Sequence, residues 1–144
     1  MKISILLPYK ENFSSKYAGA VSLFTKDTTA KSRYKDSITI FGFTKYKSKL
    51  LKNYINLNIG KSLLQSNSKI YVQEFLKYEN KSPSDLIEVH NRPNYINFLS
   101  KKTGSKLILY FHNDPLTMNG SRSASERIEL LNTTSKLIFN SKWS

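Results

Sequence analysis

Cysteine is absent from the 144 residues. That excludes a disulfide framework and any thiolate metal site, and leaves a reducing cytoplasm as the expected setting. Long apolar stretches are absent as well. The longest, Ile3 to Pro8, falls far short of the ~20 residues a membrane-spanning helix needs. Glycine is scarce, at five residues, and none of the glycine-built phosphate loops occurs. The G-x-G-x-x-G fingerprint is missing, which disfavours a nicotinamide or flavin dehydrogenase, and Walker A is missing too. No serine sits in a G-x-S-x-G elbow. The only two histidines, twenty-two residues apart with no D-x-D pair nearby, do not have the spacing of a metal site, so no metal is expected.

Acidic groups are also few. Ten Asp and Glu stand against 23 Lys and Arg, for a formal net charge of +13. Such an excess attracts polyanions at long range. The lysines, however, are scattered from Lys2 to Lys142, and the arginines are only Arg33, Arg92, Arg122 and Arg127. No basic stretch interleaved with aromatics forms a nucleic-acid module, so no nucleic-acid partner is expected. The charge reads first as a solvated surface and second as a peripheral contact with an anionic membrane, at its inner face.

A chain of this length makes one domain with a single core. Lys2 to Leu7 reads as a short strand, followed by the polar loop "YKENFSSKYAG" and a helix from about Ala20 with Val21 and Phe24 on one face. Ser37 to Phe43 is a second strand, "INLNI" at 55–59 a weak third, and Ile70 to Tyr78 a helix carrying Val72, Phe75 and Leu76. Leu86 to Val89 is the next strand. Pro93 then falls in the first turn of a helix, Ile96 and Leu99 form its buried stripe, and Gly104 closes it. Lys106 to Phe111 is a continuous apolar run, as expected of a strand covered on both faces. Ser123-x-x-Glu126 is a capping box that opens a helix through Ile128 and Leu131, and Leu137 to Phe139 is a final strand.

Strands alternating with helices imply a parallel sheet with right-handed crossovers, the doubly wound α/β class with a Rossmann-like sheet. In such a sheet the carboxyl ends of the strands share one edge, and ligands bind outside it. The segments "LIEVHNRP" and "LILYFHNDP" each end an apolar run in His-Asn-charge-Pro. Consecutive strands would present both pairs side by side at that edge, close to the first loop.

Each candidate residue has a plain structural reading as well. Gly19 stands where a helix N-terminus offers N–H groups to an anion, or it only lets the chain turn into the helix. A single histidine on an apolar segment, such as His90, is more often structural. His112, followed by Asn113, Asp114 and Pro115, suits an exposed polar tip. Asn91 and Asn113 could cap a helix or turn. Arg92 could hold an anion or pair with a surface carboxylate.

These pieces, in this order, resemble the amino-terminal half of a GT-B glycosyltransferase of the retaining family 4 type. The resemblance rests on "KISILLP", "YAGAVSLF", "DLIEVHNRP", "LILYFHNDP" and "KLIFNSKWS", and it covers nearly the whole chain. The family's glycine pair is reduced to Gly19 with Ala18 before it. The family's E-x7-E motif, carried by its donor-binding half, is missing. Residues 1–144 are therefore expected to be the acceptor-side domain, with the carboxy-terminal donor domain absent from the chain.

The resemblance implies transfer of a sugar from a nucleoside-diphosphate sugar to a glycan or lipid-linked acceptor, with retention and without a metal or other cofactor. Synthesis of a cell-surface polysaccharide is the expected setting. His112 would be catalytic, beside the transferred sugar, and Gly19 would face the donor diphosphate. Lys16, Tyr17, His90, Asn91, Arg92 and Asp114 would border the acceptor. The opposing reading is a stand-alone Rossmann-like module that binds a glycan, nucleotide or partner protein without catalysis. A sugar-nucleotide-modifying enzyme of another Rossmann family is disfavoured, because Tyr-x-x-x-Lys is also missing.

Overall fold

A computed structural model describes residues 1–60 and 64–140. The strands are β1 (Ile3–Leu6), β2 (Ile38–Gly42), β3 (Tyr54–Asn56), β4 (Leu86–His90), β5 (Lys106–Phe111) and β6 (Lys136–Phe139). The helices are α1 (Ala20–Lys31), α2 (Asn67–Lys81), α3 (Pro93–Leu99) and α4 (Ala124–Thr133). All five strand pairings are parallel, in the order β3-β2-β1-β4-β5-β6. The fold is the Rossmann-like α/β sheet that the alternation predicted. Its strand order reverses between β1 and β4, which leaves a crevice at their carboxyl ends.

Both faces of the sheet are covered, unequally. On one, Leu6, Phe41, Ile87, Val89, Leu107, Leu109 and Phe111 pack under α2, α3 and α4, against Tyr71, Phe75, Tyr95, Ile96, Leu99 and Leu130. On the other, Ile3, Ile5, Leu7, Ile38 and Ile40 meet Phe13 of the first loop and Val21 of α1. The first loop is thus less polar in its packing than in its composition, because Phe13 is fully buried and stacks on Tyr54 at 4.9 Å.

Two buried contacts fix the ends of the sheet. At the amino edge, the Glu79 carboxylate of α2 accepts from Ser84 N (2.5 Å), Ser84 Oγ (3.1 Å), Ser105 Oγ (3.0 Å) and Ser4 Oγ (3.4 Å). It thereby ties the starts of β4 and β5 to β1. At the carboxyl edge, the Tyr71 hydroxyl donates to Leu7 O at 2.7 Å. Burial holds that phenol well above its ordinary pKa, so it remains a donor.

Several expectations need correction. Helix α3 ends at Leu99 with Ser100 as its C-cap, so Gly104 does not close it; Gly104 lies in the following turn with open space around it. On β5 the buried positions alternate, Leu107, Leu109 and Phe111 being sealed while Ile108 and Tyr110 are half-buried beneath the thinner α1 layer. The capping box of α4 forms as read, with Ser123 and Glu126 bonding reciprocally. Leu130 is the buried residue of α4, whereas Ile128 and Leu131 are 59% and 65% exposed. Their outer face is uncovered because β6 is the edge strand. The closing residues of "KLIFNSKWS", 141–144, lie outside the described residues.

Phe75→Ala is expected to destabilise the domain by about 3–5 kcal/mol, since it opens a cavity in the larger core. Ile128→Ala should stay within about 0.5 kcal/mol, as a surface change does. Urea denaturation of the two variants checks the assignment, and a comparable loss for Ile128→Ala would return α4's outer face to the core.

Candidate active site at the carboxyl edge

The two His-Asn segments meet at this edge. His90 ends β4, in register with Tyr110 of β5, and His112 follows the last residue of β5. Between them Asn91 adopts φ 54°, a left-handed conformation in which asparagine is favoured among non-glycine residues. Asn91 N donates to Tyr110 O at 2.8 Å, while Asn91 Oδ1 accepts from His112 N at 3.0 Å and Asn113 N at 3.3 Å. The asparagine repeated in the sequence is therefore a clamp between strand ends rather than a helix cap.

The clamp brings the imidazoles together. His90 Nδ1 lies 2.8 Å from His112 Nε2, and His90 Nε2 lies 2.6 Å from Glu88 Oε1. Glu88 was not singled out by sequence reasoning. The available signal was its spacing, because positions i and i+2 of a strand share a face. Phe24 of α1 meets His112 edge-on at 4.9 Å, and Tyr110 stacks on both imidazoles at 5.4 and 4.6 Å. His90 is sealed; His112 is half-buried.

Electrostatics set the protonation of this row. Burial, helped by the neighbouring His90 and opposed by Glu88, lowers the His112 pKa to about 4. His112 is thus neutral at pH 7. One arrangement that meets both bonds has His90 donating Nε2–H to the Glu88 carboxylate and His112 donating Nε2–H to His90 Nδ1. His112 Nδ1 is left as a lone-pair acceptor. It bonds to no described residue and is not among the sealed, unpartnered atoms, which are Ser22 Oγ, Thr25 Oγ1, Thr29 Oγ1 and Asn97 Oδ1.

The other predicted residues fall into separate places. Gly19 is the N-cap of α1, as its position implied, but the helix N-terminus already holds an anion: Glu11 Oε1 accepts from Ser22 N at 3.0 Å. A Cβ at Gly19 would lie 2.3 Å from that oxygen. Its φ of −79° is ordinary and that oxygen is the movable end of a side chain, so a Cβ here would displace Glu11 from the helix start without straining the backbone. Glu11 is a second residue that the sequence reading missed. Lys16 and Tyr17 are exposed on the first loop, where Tyr17 packs on Tyr46 at 4.8 Å and Lys16 N bonds Ser14 Oγ. No described contact joins them to the histidines. Asp114 caps a 3-10 turn through Leu116 N at 2.9 Å and borders an apolar cavity with Leu116 and Phe139. Arg92 faces a polar cavity on the α3 side of the same edge, together with Asn91 and Asn113.

Among the described residues no group of three His, Asp or Glu side chains is arranged to hold a metal ion, and no helix is long and apolar enough to cross a membrane. Fold and site together define a Rossmann-like α/β domain with a polar site at its topological switch point. The comparisons extend this no further than architecture. No protein-family model matches the chain, and no curated protein matches it in sequence. Among solved structures it is similar to a sucrose-phosphate synthase from Thermosynechococcus elongatus, with a TM-score of 0.58 at 11% identity. The match takes in 91% of this chain and 39% of that one. This fold matches one half of a GT-B enzyme, and the chain spans well under half the length of its neighbour.

The row of bonds has a pH signature. Since the folded-state pKa of His112 lies below the unfolded value of 6.5, the unfolded chain binds more protons between these values. The stability contributed is complete above about pH 6.5 and is lost as pH falls toward 4. The drop in Tm between pH 7.5 and 4.5 should therefore be smaller in His112→Gln than in the unaltered chain. Nitrogen-15 NMR at pH 7 should find both imidazoles in the Nε2–H form, with Glu88→Ala mixing the tautomers. A protonated Nδ1 on His112 at that pH would contradict the assigned order.

Proposed function

We propose that this chain is the acceptor-side half of a retaining glycosyltransferase that moves a sugar from a nucleoside-diphosphate donor to a glycan or lipid-linked acceptor. The observation that carries the reading is the row Glu88–His90–His112 at the strand-order reversal, in which burial holds His112 below its ordinary pKa and no described residue bonds its Nδ1. The fold likeness to sucrose-phosphate synthase supports it.

Breaking a glycosidic bond to a diphosphate builds positive charge on the sugar ring. A lone pair beside that charge stabilises it, whereas an imidazolium would oppose it. Lowering the pKa of His112 is thus useful to the reaction as well as a consequence of burial. In this proposal Nδ1 accepts from a hydroxyl of the transferred sugar and orients it. Asn91 borders the acceptor while fixing the two strand ends. Lys16, Tyr17 and Asp114 extend the rim on which the acceptor lies, and His90 acts through His112.

On the donor side, a diphosphate at the start of α1 would take the place that Glu11 fills beside Gly19. Neutralising the departing diphosphate would fall to the other half of the cleft, so the activity is proposed for a protein that includes that half. No metal or organic cofactor enters the scheme. The excess of 23 basic over ten acidic residues suits a cytoplasmic protein that touches the anionic inner face of a membrane, where lipid-linked acceptors for cell-surface polysaccharide are built.

In the transferase carrying this domain, His112→Ala should lower kcat by roughly tenfold to a thousandfold, the range for losing one preorganised polar group near developing charge. Steady-state kinetics with circular dichroism as the folding control make the test. An unchanged kcat in a folded variant would leave the non-catalytic binding module as the better reading.

A further inference from the structure

The polar cavity beside the histidines has a composition that the transfer chemistry does not require. It lies between the start of α3 and the loop after β5, has a volume of about 410 Å3, and carries two guanidinium groups, Arg92 and Arg122, with the amides of Asn91, Asn94, Asn113 and Asn119. Its volume is within the ~300–1,000 Å3 usual for small-molecule sites. No carboxylate is among the residues that line it.

The two arginines are under-used. Arg92 bonds Asn91 O through Nη1 at 3.0 Å and touches the Tyr95 hydroxyl. Arg122 bonds Thr117 O through Nε at 3.1 Å. Among the described residues the Lys and Arg ion pairs are Lys26–Asp27 and Lys77–Glu74, and neither Arg92 nor Arg122 takes part in one. Each guanidinium has five N–H donors and cannot shed its charge. Both line one cavity with no carboxylate among its lining residues, which leaves their remaining N–H donors for an anion.

The loop that brings Arg122 there is built closely. Gly120 has φ 95° and lies so near α3 that a Cβ would sit 2.6 Å from Asn94 N. Any side chain at that position would push the loop off the helix. Arg127 braces the loop from behind by donating Nη1 to Ser121 O at 3.1 Å and Arg122 O at 2.6 Å. Asn91, whose amide oxygen holds the His112 backbone N–H, also lines the cavity, so the cavity and the strand end that carries His112 share one residue.

We propose that this cavity binds an acidic sugar, with Arg92 and Arg122 gripping its phosphate ester or carboxylate and the asparagine amides meeting its hydroxyls. The amides supply paired donors and acceptors for vicinal hydroxyls, while the arginine forks match the planar faces of either anion. Resting on the acceptor reading above, this gives the acceptor's chemical class as a sugar bearing a negative group.

The test is binding to the 144-residue chain, read by amide chemical shifts in about 0.15 M salt, with glucose 6-phosphate, glucuronic acid and glucose as probes. The expected result is saturable binding of at least one acidic probe, with shifts at Asn91, Asn94, Asn113 and Asn119 and none from glucose at equal concentration. A response to glucose 6-phosphate alone identifies a phosphate ester; a response to glucuronic acid alone identifies a carboxylate. Arg92→Gln and Arg122→Gln should each weaken binding about tenfold to a hundredfold, the loss for one charge-assisted contact. Lys31→Ala, a change of equal charge at the far end of α1, should not. No binding of either acidic probe, or binding that both arginine variants leave intact, would overturn the proposal. Because no turnover is measured, failure here is separable from failure of the transferase reading: a His112-dependent enzyme with a neutral acceptor would fail only this test.

Discussion

The amide of Asn91 is the constraint on which the edge depends. With β4 and β5 in register, the two chains leave the sheet at the same level and would ordinarily diverge into their loops. Asn91 prevents this by turning into the left-handed region and offering one oxygen to the N–H groups of His112 and Asn113. Both N–H groups would otherwise lack a ladder partner at the point where β5 ends. One side chain therefore satisfies the open backbone, sets His112 against His90, and starts the wall of the polar cavity. A shorter or branched residue at position 91 would lose the bridging oxygen, the left-handed turn, or both.

Around that clamp, charge is arranged with unequal signs. The imidazole row is anchored by Glu88 and ends in a neutral acceptor, while the cavity beyond Asn91 carries two unpaired guanidinium groups. On the other flank, the positive end of α1 is already answered by Glu11. The edge thus presents one occupied anion position, one neutral lone pair and one open anion position. An anion at the first would compete with the Glu11 carboxylate, whereas one at the last would meet no carboxylate among the lining residues. This asymmetry makes the α3 side the more ready of the two to bind an anion in the isolated domain.

Much of this architecture was legible in the sequence because it is written in local signals. Lys106 to Phe111 was bounded to the residue, Ser123 and Glu126 form the capping box that their spacing implied, and Pro93 begins α3. The two histidines could be placed at one edge because strand alternation fixes which ends align. What could not be read depends on distance across the fold. Glu11 reaches Ser22 from eleven residues away, and Gly120 is held to glycine by the backbone of Asn94, twenty-six positions earlier. Ile128 and Leu131 have helical spacing but no neighbour to meet, because periodicity reports which side chains share a face and not whether anything covers it. Gly104 has the composition of a helix stop, yet α3 had already ended in its own Ser100 cap, so the glycine had no carbonyls left to terminate.

The two edges of the sheet divide rigidity and openness between them. At the amino edge one buried carboxylate, Glu79, collects four hydroxyl and amide donors from the starts of three strands. A buried carboxylate is tolerated only when it is satisfied in this way, so its partners are held as tightly as the carboxylate itself. At the carboxyl edge the donors and acceptors are left partly unspent: His112 Nδ1, the remaining Arg92 and Arg122 N–H groups, and the cavity amides. Unlike the sealed hydroxyls of Ser22, Thr25 and Thr29 on α1, these groups line an open edge where water or ligand reaches them. The same sheet supplies the stiffness, since every strand that ends at the open edge is tied by hydrogen bonds to its parallel neighbour. A ligand bound there meets side chains whose positions are set by the ladder behind them, and the cost of ordering those groups was met when the sheet folded.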